Sequence, residues 1–211
     1  MKTLPNYQAI VLDMDGTLYY QKPVRFCMLI RMIPLCFYPG GLRTLRLIFA
    51  YRKLYESGMD ETERTAALTK RFHITPEAVQ SAIHLWMVEK PLPFVRLFRD
   101  RRLIADMEQL QQHGIKLIVL SDYPVTEKLA ALNFWPDAAY SADDLGYLKP
   151  SPDGLLRVLD EHGLTPPNCL FLGDRMDKDG RLAENLGMDY VILPQYYYQR
   201  RLRYGMLGLR F

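Results

Sequence analysis

Short apolar runs alternate with longer amphipathic stretches in the first and last parts of the chain. Three runs have the length and composition of buried strands: residues 9–12, 115–120 and 169–172. A stretch with helical spacing ends at Gly114, and strand patterns alternate with helical ones from there to Leu193. This order predicts an α/β fold with a doubly wound, mainly parallel sheet.

The pattern is helical over residues 19–100. A helix is predicted from residue 42 to about residue 57, and two residue pairs mark later helix starts: Asp60 with Glu63, and Thr75 with Pro76. We therefore predict three parts. These are a core of residues 1–18 and 101–193, an inserted helical cap domain of residues 19–100, and a C-terminal tail of residues 194–211.

The most apolar part of the insertion is residues 26–38. It is short and is interrupted by Arg31 and Pro34, so it is not expected to span a bilayer. We interpret it as a buried helix of the cap, and an interfacial helix lying on a membrane is the alternative.

The beginning of the chain and the cysteines both bear on location. A polar stretch that contains Pro5 leads into the first apolar run, which predicts no signal peptide. The three cysteines, Cys27, Cys36 and Cys169, are an odd number without the spacing of metal ligands. Because this usage does not suit a disulfide framework, the sequence predicts a reducing compartment and a cytoplasmic protein.

A net charge of +3 conceals an uneven charge distribution. Residues 19–100 hold 13 Lys and Arg against 7 Asp and Glu, and residues 194–211 hold 4 against none, so the remaining core is acidic. A basic cap could attract an anionic substrate, or its charges could lie on solvated helix faces. The candidates for attracting substrate are Arg25, Arg31, Arg43, Arg46 and Arg52.

The tail interleaves tyrosines with arginines over residues 195–204. Such a segment can bind nucleic acid, a membrane surface or an acidic protein face, and it can also pack against its own acidic core. One short tail does not predict nucleic-acid binding. We favour self-packing or contact with a partner chain.

Two carboxylates directly follow the first apolar run. Asp13 and Asp15 stand at i and i+2, and Gly16 and Thr17 turn the chain immediately afterwards. Asp-x-Asp-Gly is also a common turn and a calcium-binding sequence, so the pair alone decides little. A nucleophile and a second acid in one exposed loop suit phosphoryl transfer through an aspartyl-phosphate.

Further polar residues follow the other predicted strands. Ser121 and Asp122 end the second run, Lys149 precedes a helix start, and Asp174 and Asp179 follow the third run. Ligands bind beyond the carboxyl ends of the strands in open α/β sheets. We therefore expect these side chains to converge on one site.

These residues, in this order, resemble the four motifs of the haloacid dehalogenase (HAD) superfamily, whose members are mostly phosphatases. The matching residues are Asp13 and Asp15 in the first motif, Ser121 in the second, Lys149 in the third, and Asp174 and Asp179 in the fourth. The resemblance covers residues 8–18 and about 103–193. It implies a Rossmann-like core with a helical cap inserted after the first strand, with Asp13 as nucleophile and Asp15 as acid and base.

The predicted chemistry calls for a divalent cation. A phosphate monoester is dianionic, so positive charge must screen it from an attacking carboxylate. Mg²⁺ is favoured because carboxylate oxygens and substrate phosphate are its usual ligands. Its predicted site consists of Asp13, Asp15, Asp174 and Asp179, with Asp177 as the alternative to Asp179.

The phosphate group is expected to contact Gly16, Thr17, Ser121, Asp122 and Lys149. Lys149 would supply positive charge, Ser121 a hydroxyl group, and the loop of residues 14–17 its backbone N–H groups. The predicted catalytic residues are Asp13, Asp15, Ser121 and Lys149.

The predicted activity is Mg²⁺-dependent hydrolysis of a small phosphorylated metabolite. Asp15 argues against dehalogenation, because the resemblance implies that dehalogenating members need neither the metal nor this acid. A phosphomutase uses the same residues and stays an alternative. A second alternative is a non-catalytic or membrane-peripheral binding protein that uses the basic cap and tail.

Overall fold

Five parallel strands form one sheet in the described part of this computed structural model, which is residues 7–196 and 199–200. The strands are β1 (Ala9–Leu12), β2 (Lys116–Ser121), β3 (Ala138–Ser141), β4 (Cys169–Gly173) and β5 (Asp189–Ile192). Their spatial order is β3-β2-β1-β4-β5. The predicted α/β class with a parallel, Rossmann-like sheet is confirmed.

β1 lies at the centre of the sheet and pairs along its full length with both neighbouring strands. Leu12 pairs with Val119 of β2 and with Leu172 of β4. All four side chains of β1 are buried, which is typical of a strand covered on both faces. Because the strands are parallel and in this register, the residues that follow them meet at one edge of the sheet.

Helices connect the strands and cover the sheet. They are α6 (Arg101–Gln112), α7 (Thr126–Leu132), α8 (Ala142–Leu145), α9 (Pro152–Glu161) and α10 (Arg181–Asn185). A 3₁₀ turn (Pro166–Asn168) precedes β4, and a π-helical turn (Met176–Gly180) precedes α10. The buried side chains of α6 include Leu103, Met107 and Leu110, as the helical spacing predicts.

A second compact unit, Pro23–Phe94, contains the helices of the insertion. The helices that begin or end in it are α1 (Gln21–Met32), α2 (Gly41–Glu56), α3 (Glu61–Phe72), α4 (Pro76–Ile83) and α5 (Leu92–Leu97), with a 3₁₀ turn (Ile33–Cys36) after α1 and a π-helical turn (His84–Glu89) after α4. A core of buried apolar residues on α2, α3 and α4 holds this unit together: Leu47, Ala50, Leu68, Phe72, Val79 and Ile83.

Both predicted helix starts in the insertion are present. The Asp60 carboxylate accepts a hydrogen bond from the Glu63 backbone N–H (3.0 Å), and the Thr75 hydroxyl oxygen accepts one from the Ala78 N–H (3.3 Å). These side chains satisfy N–H groups that the first helical turn leaves unpaired.

Two of the five candidate arginines, Arg43 and Arg52, form hydrogen bonds or an ion pair inside this unit. Arg43 donates hydrogen bonds to the carbonyl oxygens of Phe72 and His73 at the end of α3, where a cation is favoured by the helix dipole. Arg52 pairs with Glu56 one turn further along α2, at 3.0 Å. These contacts give both arginines a structural role within the insertion.

The connections between the units belong to the first unit, which contains the described residues up to Lys22 and those from Val95 onward. The Tyr20 N–H donates to the Phe98 carbonyl oxygen, and the Asp100 N–H donates to the Leu18 carbonyl oxygen, both at 2.9 Å. Because the outgoing and returning segments pair with each other, they stay with the core.

The apolar segment of residues 26–38 is not buried in the way that the sequence pattern predicts. Val24 and Met28 of α1 are buried, whereas Phe26, Ile33 and Phe37 are more than half exposed. The expectation of a buried helix is therefore wrong for most of this segment. None of the described helices combines the length and the apolar composition that a membrane span requires.

Candidate active site

Three strand ends bring the predicted polar residues to one edge of the sheet. Asp13 follows β1, Ser121 is the last residue of β2, and Asp174 follows β4. Gly16 turns the loop after β1 with φ of +104°, and a Cβ atom there would lie 2.2 Å from Oδ2 of Asp174. A glycine is therefore required both for the backbone conformation and for the close approach of the two loops.

Asp13, Asp174 and Asp179 form a buried carboxylate cluster. One oxygen from each lies within 4.8 Å of the other two. Asp179 is held in place because its Oδ2 accepts hydrogen bonds from the backbone N–H groups of Asp174 (3.2 Å) and Arg175 (3.0 Å). Gly173 leaves room for it, since a Cβ there would lie 2.4 Å from Cβ of Asp179.

Lys149 places one positive charge in the carboxylate cluster. Its Nζ donates to Oδ1 of Asp13 (2.5 Å) and to Oδ1 of Asp179 (2.8 Å). Burial by itself lowers the pKa of Lys149, but the negative charges of Asp13, Asp179 and Asp122 outweigh it and raise the pKa above its ordinary value. The side chain is therefore an ammonium ion.

The carboxylates of the cluster outnumber the single cation, Lys149, that is bound among them. Burial, with the nearby charges of Asp179 and Asp174, raises the pKa of Asp13 well above its ordinary value, although Lys149 opposes the shift. Burial and the charge of Asp179 raise the pKa of Asp174 to about 6. Closely spaced carboxylates whose pKa values rise for lack of counter-charge fit a hard divalent cation such as Mg²⁺.

Asp15 has a different set of partners from Asp13. Lys128 Nζ donates to both of its oxygens (2.6 and 2.8 Å), the Tyr19 hydroxyl donates to Oδ1, and Ser121 Oγ lies 3.3 Å from Oδ2. Burial raises the pKa of Asp15, but the charge and hydrogen bonds of Lys128 and the Tyr19 bond hold it below the ordinary range. Asp15 is therefore ionised. Its carboxylate does not belong to the described carboxylate cluster, although the sequence predicts it among the metal ligands.

Two predicted phosphate-binding residues orient their neighbours. Thr17 Oγ1 donates to Oδ2 of Asp13 (3.0 Å). Asp122 accepts a hydrogen bond from the Lys149 backbone N–H (3.0 Å) and one from Lys178 Nζ (2.5 Å). Asp122 thus orders the loop that carries Lys149, and Thr17 fixes the carboxylate of Asp13.

Asp177, the alternative to Asp179, lies at the surface. The Arg175 guanidinium binds it, with Nε 3.2 Å from Oδ1, and its side chain is 59% exposed. The hydrogen bond from Arg175 lowers the pKa of Asp177. The structure brings Asp179, and not Asp177, next to Asp13 and Asp174.

Sequence reasoning missed Lys128 and Gln195. Lys128 occupies a buried position on α7 together with Leu129 and Leu132. A lysine at a buried, otherwise apolar position of the helix that follows β2 could have been recognised from the sequence as a partner for a buried carboxylate. Gln195 Nε2 donates to Oδ2 of Asp174 (3.2 Å), and no pattern marks this residue.

Arg200 was also missed, and it packs against the loop after β1. The side chain is fully buried, and its guanidinium donates to the carbonyl oxygens of Gly16 and Thr17 and to Oδ2 of Asp100. Asp100 also caps α6 through the Leu103 N–H (3.1 Å). The described end of the predicted tail is therefore part of the core, and residues 197, 198 and 201–211 lie outside the described residues.

Comparison of the sequence with known proteins identifies relatives. The sequence pattern of the haloacid dehalogenase-like hydrolases matches residues 7–187. Glyceraldehyde 3-phosphate phosphatase from Methanopyrus kandleri is 29% identical over an alignment 209 residues long, and the alignment covers 91% of this chain and 86% of that protein.

Solved structures share the fold. A Bacillus subtilis protein assigned to the HAD hydrolases, in a crystal structure bound to magnesium, superposes with a TM-score of 0.61 at 15% identity, over 97% of this chain and 100% of its own. The 2-haloacid dehalogenase from Pseudomonas syringae gives a TM-score of 0.64 at 15% identity, over 89% and 86% of the two chains. Such low identities establish the fold alone. The sequence pattern extends over most of the chain and includes the strand-end loops that carry the acidic residues, so this chain belongs to the haloacid dehalogenase-like hydrolases.

Proposed function

We propose that this protein is a Mg²⁺-dependent phosphatase that hydrolyses a small phosphorylated metabolite through an aspartyl-phosphate on Asp13. The observation that carries the proposal is the carboxylate cluster with Lys149 bound inside it, next to a separate, ionised Asp15. The phosphatase relative from Methanopyrus kandleri supports a phosphate ester as substrate. Glyceraldehyde 3-phosphate is therefore the first compound to test.

Substrate binding requires positive charge beside Asp13. Mg²⁺ held by Asp13, Asp174 and Asp179 would screen the phosphate from the nucleophile and polarise its oxygens. Lys149 adds a fixed positive charge, because Asp13 and Asp179 both hold its ammonium group. The positive charge of Lys149 also stabilises the equatorial oxygens of the phosphoryl group during its transfer.

Asp13 is the proposed nucleophile. Lys149 and Thr17 each bind one of its oxygens, so the carboxylate is oriented before substrate arrives. Attack forms a bond between an Asp13 oxygen and phosphorus and breaks the bond from phosphorus to the ester oxygen. The leaving oxygen takes a proton from the carboxyl group of Asp15.

Asp15 would act first as an acid and then as a base. It is ionised in the resting site, so the first step needs a proton, and a phosphate monoester with a second pKa of about 6 can bring one. In the second step, the Asp15 carboxylate takes a proton from the water that attacks the aspartyl-phosphate. This step releases phosphate and regenerates Asp13, and Asp15, whose pKa is lowered, then gives its proton to solvent and returns to the ionised resting state.

A phosphate-release assay tests the proposed function. Glyceraldehyde 3-phosphate and a panel of other phosphorylated metabolites are incubated with the protein in Mg²⁺ and in excess chelator. We expect release of inorganic phosphate from at least one compound in Mg²⁺ and its loss in chelator. Full activity in chelator, or no release from any compound, would contradict the proposal. Formation of an isomeric phosphate ester would favour the phosphomutase instead.

The cellular location stays a prediction. The described cysteines, Cys27, Cys36 and Cys169, are free thiols. Free thiols are typical of a reducing compartment and support the proposed cytoplasmic location.

A further inference from the structure

An exposed apolar surface runs along α1 and the 3₁₀ turn that follows it. Phe26, Leu29, Ile30, Ile33 and Phe37 have exposed fractions between 51% and 81%. The first four stand at i, i+3, i+4 and i+7, the spacing that places side chains on one side of a helix. We call these five residues the apolar stripe.

The buried side chains of α1 lie on the other side of the helix. Val24 and Met28 are buried, and at about 100° per residue both point away from Phe26. One apolar side of α1 is thus covered by protein and the other is exposed. Contiguous exposed apolar surface of this kind marks an interaction surface rather than an ordinary solvated helix face.

The segment that carries the apolar stripe has no acidic residue. Between Asp15 and Glu56 the sequence contains no Asp or Glu, but it contains seven cations: Lys22, Arg25, Arg31, Arg43, Arg46, Arg52 and Lys53. Arg25 and Arg31 are exposed on α1 itself. Exposed apolar side chains among cations are complementary to an anionic lipid surface, where acyl chains lie beneath negative headgroups.

We propose that the apolar stripe docks this protein on the surface of an anionic lipid bilayer, with α1 lying in the plane of the interface. The stripe would enter the boundary between headgroups and acyl chains, and Arg25 would bind lipid phosphates. The exposed aromatic rings of Phe37 and Tyr38 suit the same depth. The proposal is independent of the proposed phosphatase function, because the apolar stripe contains no residue of the candidate active site.

Vesicle co-sedimentation of the full chain tests this docking. The probes are vesicles of phosphatidylcholine alone and vesicles that also contain phosphatidylglycerol. We expect binding to the anionic vesicles and at least about tenfold weaker binding to the neutral ones. Raising the salt from about 0.05 M to about 0.5 M should weaken binding to the anionic vesicles, because it shortens the screening length.

Two matched pairs of variants separate the stripe from general effects. Phe26→Ser with Leu29→Ser should weaken binding at least about tenfold, since each buried apolar side chain contributes about that factor. The control is Leu97→Ser with Trp135→Ser, which removes two side chains of similar exposure outside the segment. Arg25→Gln should weaken binding about fivefold, whereas Lys70→Gln, the same charge change at an exposed position of α3, should not.

Three results would overturn the proposal. They are no binding to anionic vesicles, equal binding by the stripe variant and its control, and a stripe variant that changes the oligomeric state of the free protein. The last result would assign the stripe to contact with a second copy of the chain. Circular dichroism and analytical ultracentrifugation of every variant show whether a loss of binding reflects lost folding.

Discussion

At the residue scale, Asp13 and Asp15 show how two neighbouring carboxylates acquire opposite properties. Asp13 is buried next to Asp174 and Asp179, and burial together with their charges raises the pKa of Asp13. Asp15 is also buried, but Lys128 binds both of its oxygens and its pKa is lowered. Groups whose environments push their pKa values apart are suited to different roles in one reaction.

Replacing Lys128 by Met should destabilise the protein and alter its pH dependence. The change leaves the buried Asp15 carboxylate without its ammonium partner, which costs about 3–5 kcal/mol in the free energy of unfolding. The pKa of Asp15 should rise, so Asp15 should keep the proton that the first step needs up to higher pH, and the basic limb of the kcat/KM profile should move to higher pH. Urea denaturation and a pH–rate profile measure the two effects.

The control for this prediction is the double variant Lys128→Met with Asp15→Asn. It removes both charges, so it should recover much of the lost free energy of unfolding while staying inactive. Equal stability of wild type and Lys128→Met would contradict the inferred importance of the ion pair.

Replacing Asp174 by Asn should stabilise the metal-free protein. A carboxyl whose pKa is raised from 3.8 to about 6 binds its proton more tightly in the folded state, so its contribution to stability falls as the pH rises from about 4 to about 6. An asparagine side chain cannot ionise, and the variant should be about 1–3 kcal/mol more stable than wild type at pH above 7 in chelator. Urea denaturation at two pH values tests this, and the difference should vanish near pH 4.

At the element scale, the sequence predicts the elements whose local patterns are strong. The apolar runs of β1, β2 and β4, the capped starts of α3 and α4, and the apolar spacing of α6 all agree with the structure. Because the strands are parallel, the loops at their carboxyl ends lie at one edge of the sheet, and Asp13, Lys149 and Asp174 come together there. Local pattern and tertiary arrangement thus agree in the core.

Features that depend on distant contacts were not predictable. The position of Arg200 depends on carbonyl oxygens of residues 16 and 17, more than 180 positions away, and no local pattern reports such a contact. The exposure of α1 was also missed, because an apolar sequence does not show which of its sides the protein covers. In contrast, Asp179, which the resemblance favours over Asp177, is the residue that the structure brings next to Asp13 and Asp174.

Replacing Arg200 by Ala should destabilise the connection between the loop after β1 and the start of α6. The change removes a fully buried guanidinium and leaves the Asp100 carboxylate and the carbonyl oxygens of Gly16, Thr17 and Pro194 without this donor. We expect a loss of about 3–5 kcal/mol in the free energy of unfolding. Kinetics on the residual folded protein should show a lower kcat/KM, because the same loop carries Asp15.

A matched control for this prediction is Arg175→Ala. It removes an arginine from an exposed ion pair with Asp177, which should cost less than about 1 kcal/mol. Similar losses of stability in the two variants would show that the buried position of Arg200 is unimportant.

At the scale of the whole molecule, metal binding should stabilise the complete core, because the carboxylate cluster draws on loops that follow β1 and β4. A ligand present at about 100 times its dissociation constant adds about 2.7 kcal/mol to the free energy of unfolding. For a chain of this size we expect Mg²⁺ to raise the melting temperature by about 5–10 °C. Differential scanning calorimetry with and without chelator measures the shift.

Three Asp→Asn variants identify the acids responsible for this stabilisation. Asp177→Asn should keep the shift, because Asp177 lies at the surface with Arg175. Asp179→Asn and Asp174→Asn should lose it, because both residues belong to the carboxylate cluster. A shift that disappears in Asp177→Asn and persists in Asp179→Asn would reverse the assignment.

The nucleophilic role of Asp13 is the central claim, and trapping the phosphoenzyme tests it most directly. The wild-type protein is mixed with a substrate that it turns over in Mg²⁺, quenched in acid within the first turnover, digested and analysed by mass spectrometry. We predict a phosphorylated peptide whose modification maps to Asp13, its absence in Asp13→Asn, and its slower decay in Asp15→Asn when the substrate has a good leaving group. Phosphate release with no acyl-phosphate at any quench time, or a phosphoenzyme that still forms in Asp13→Asn, would contradict the account.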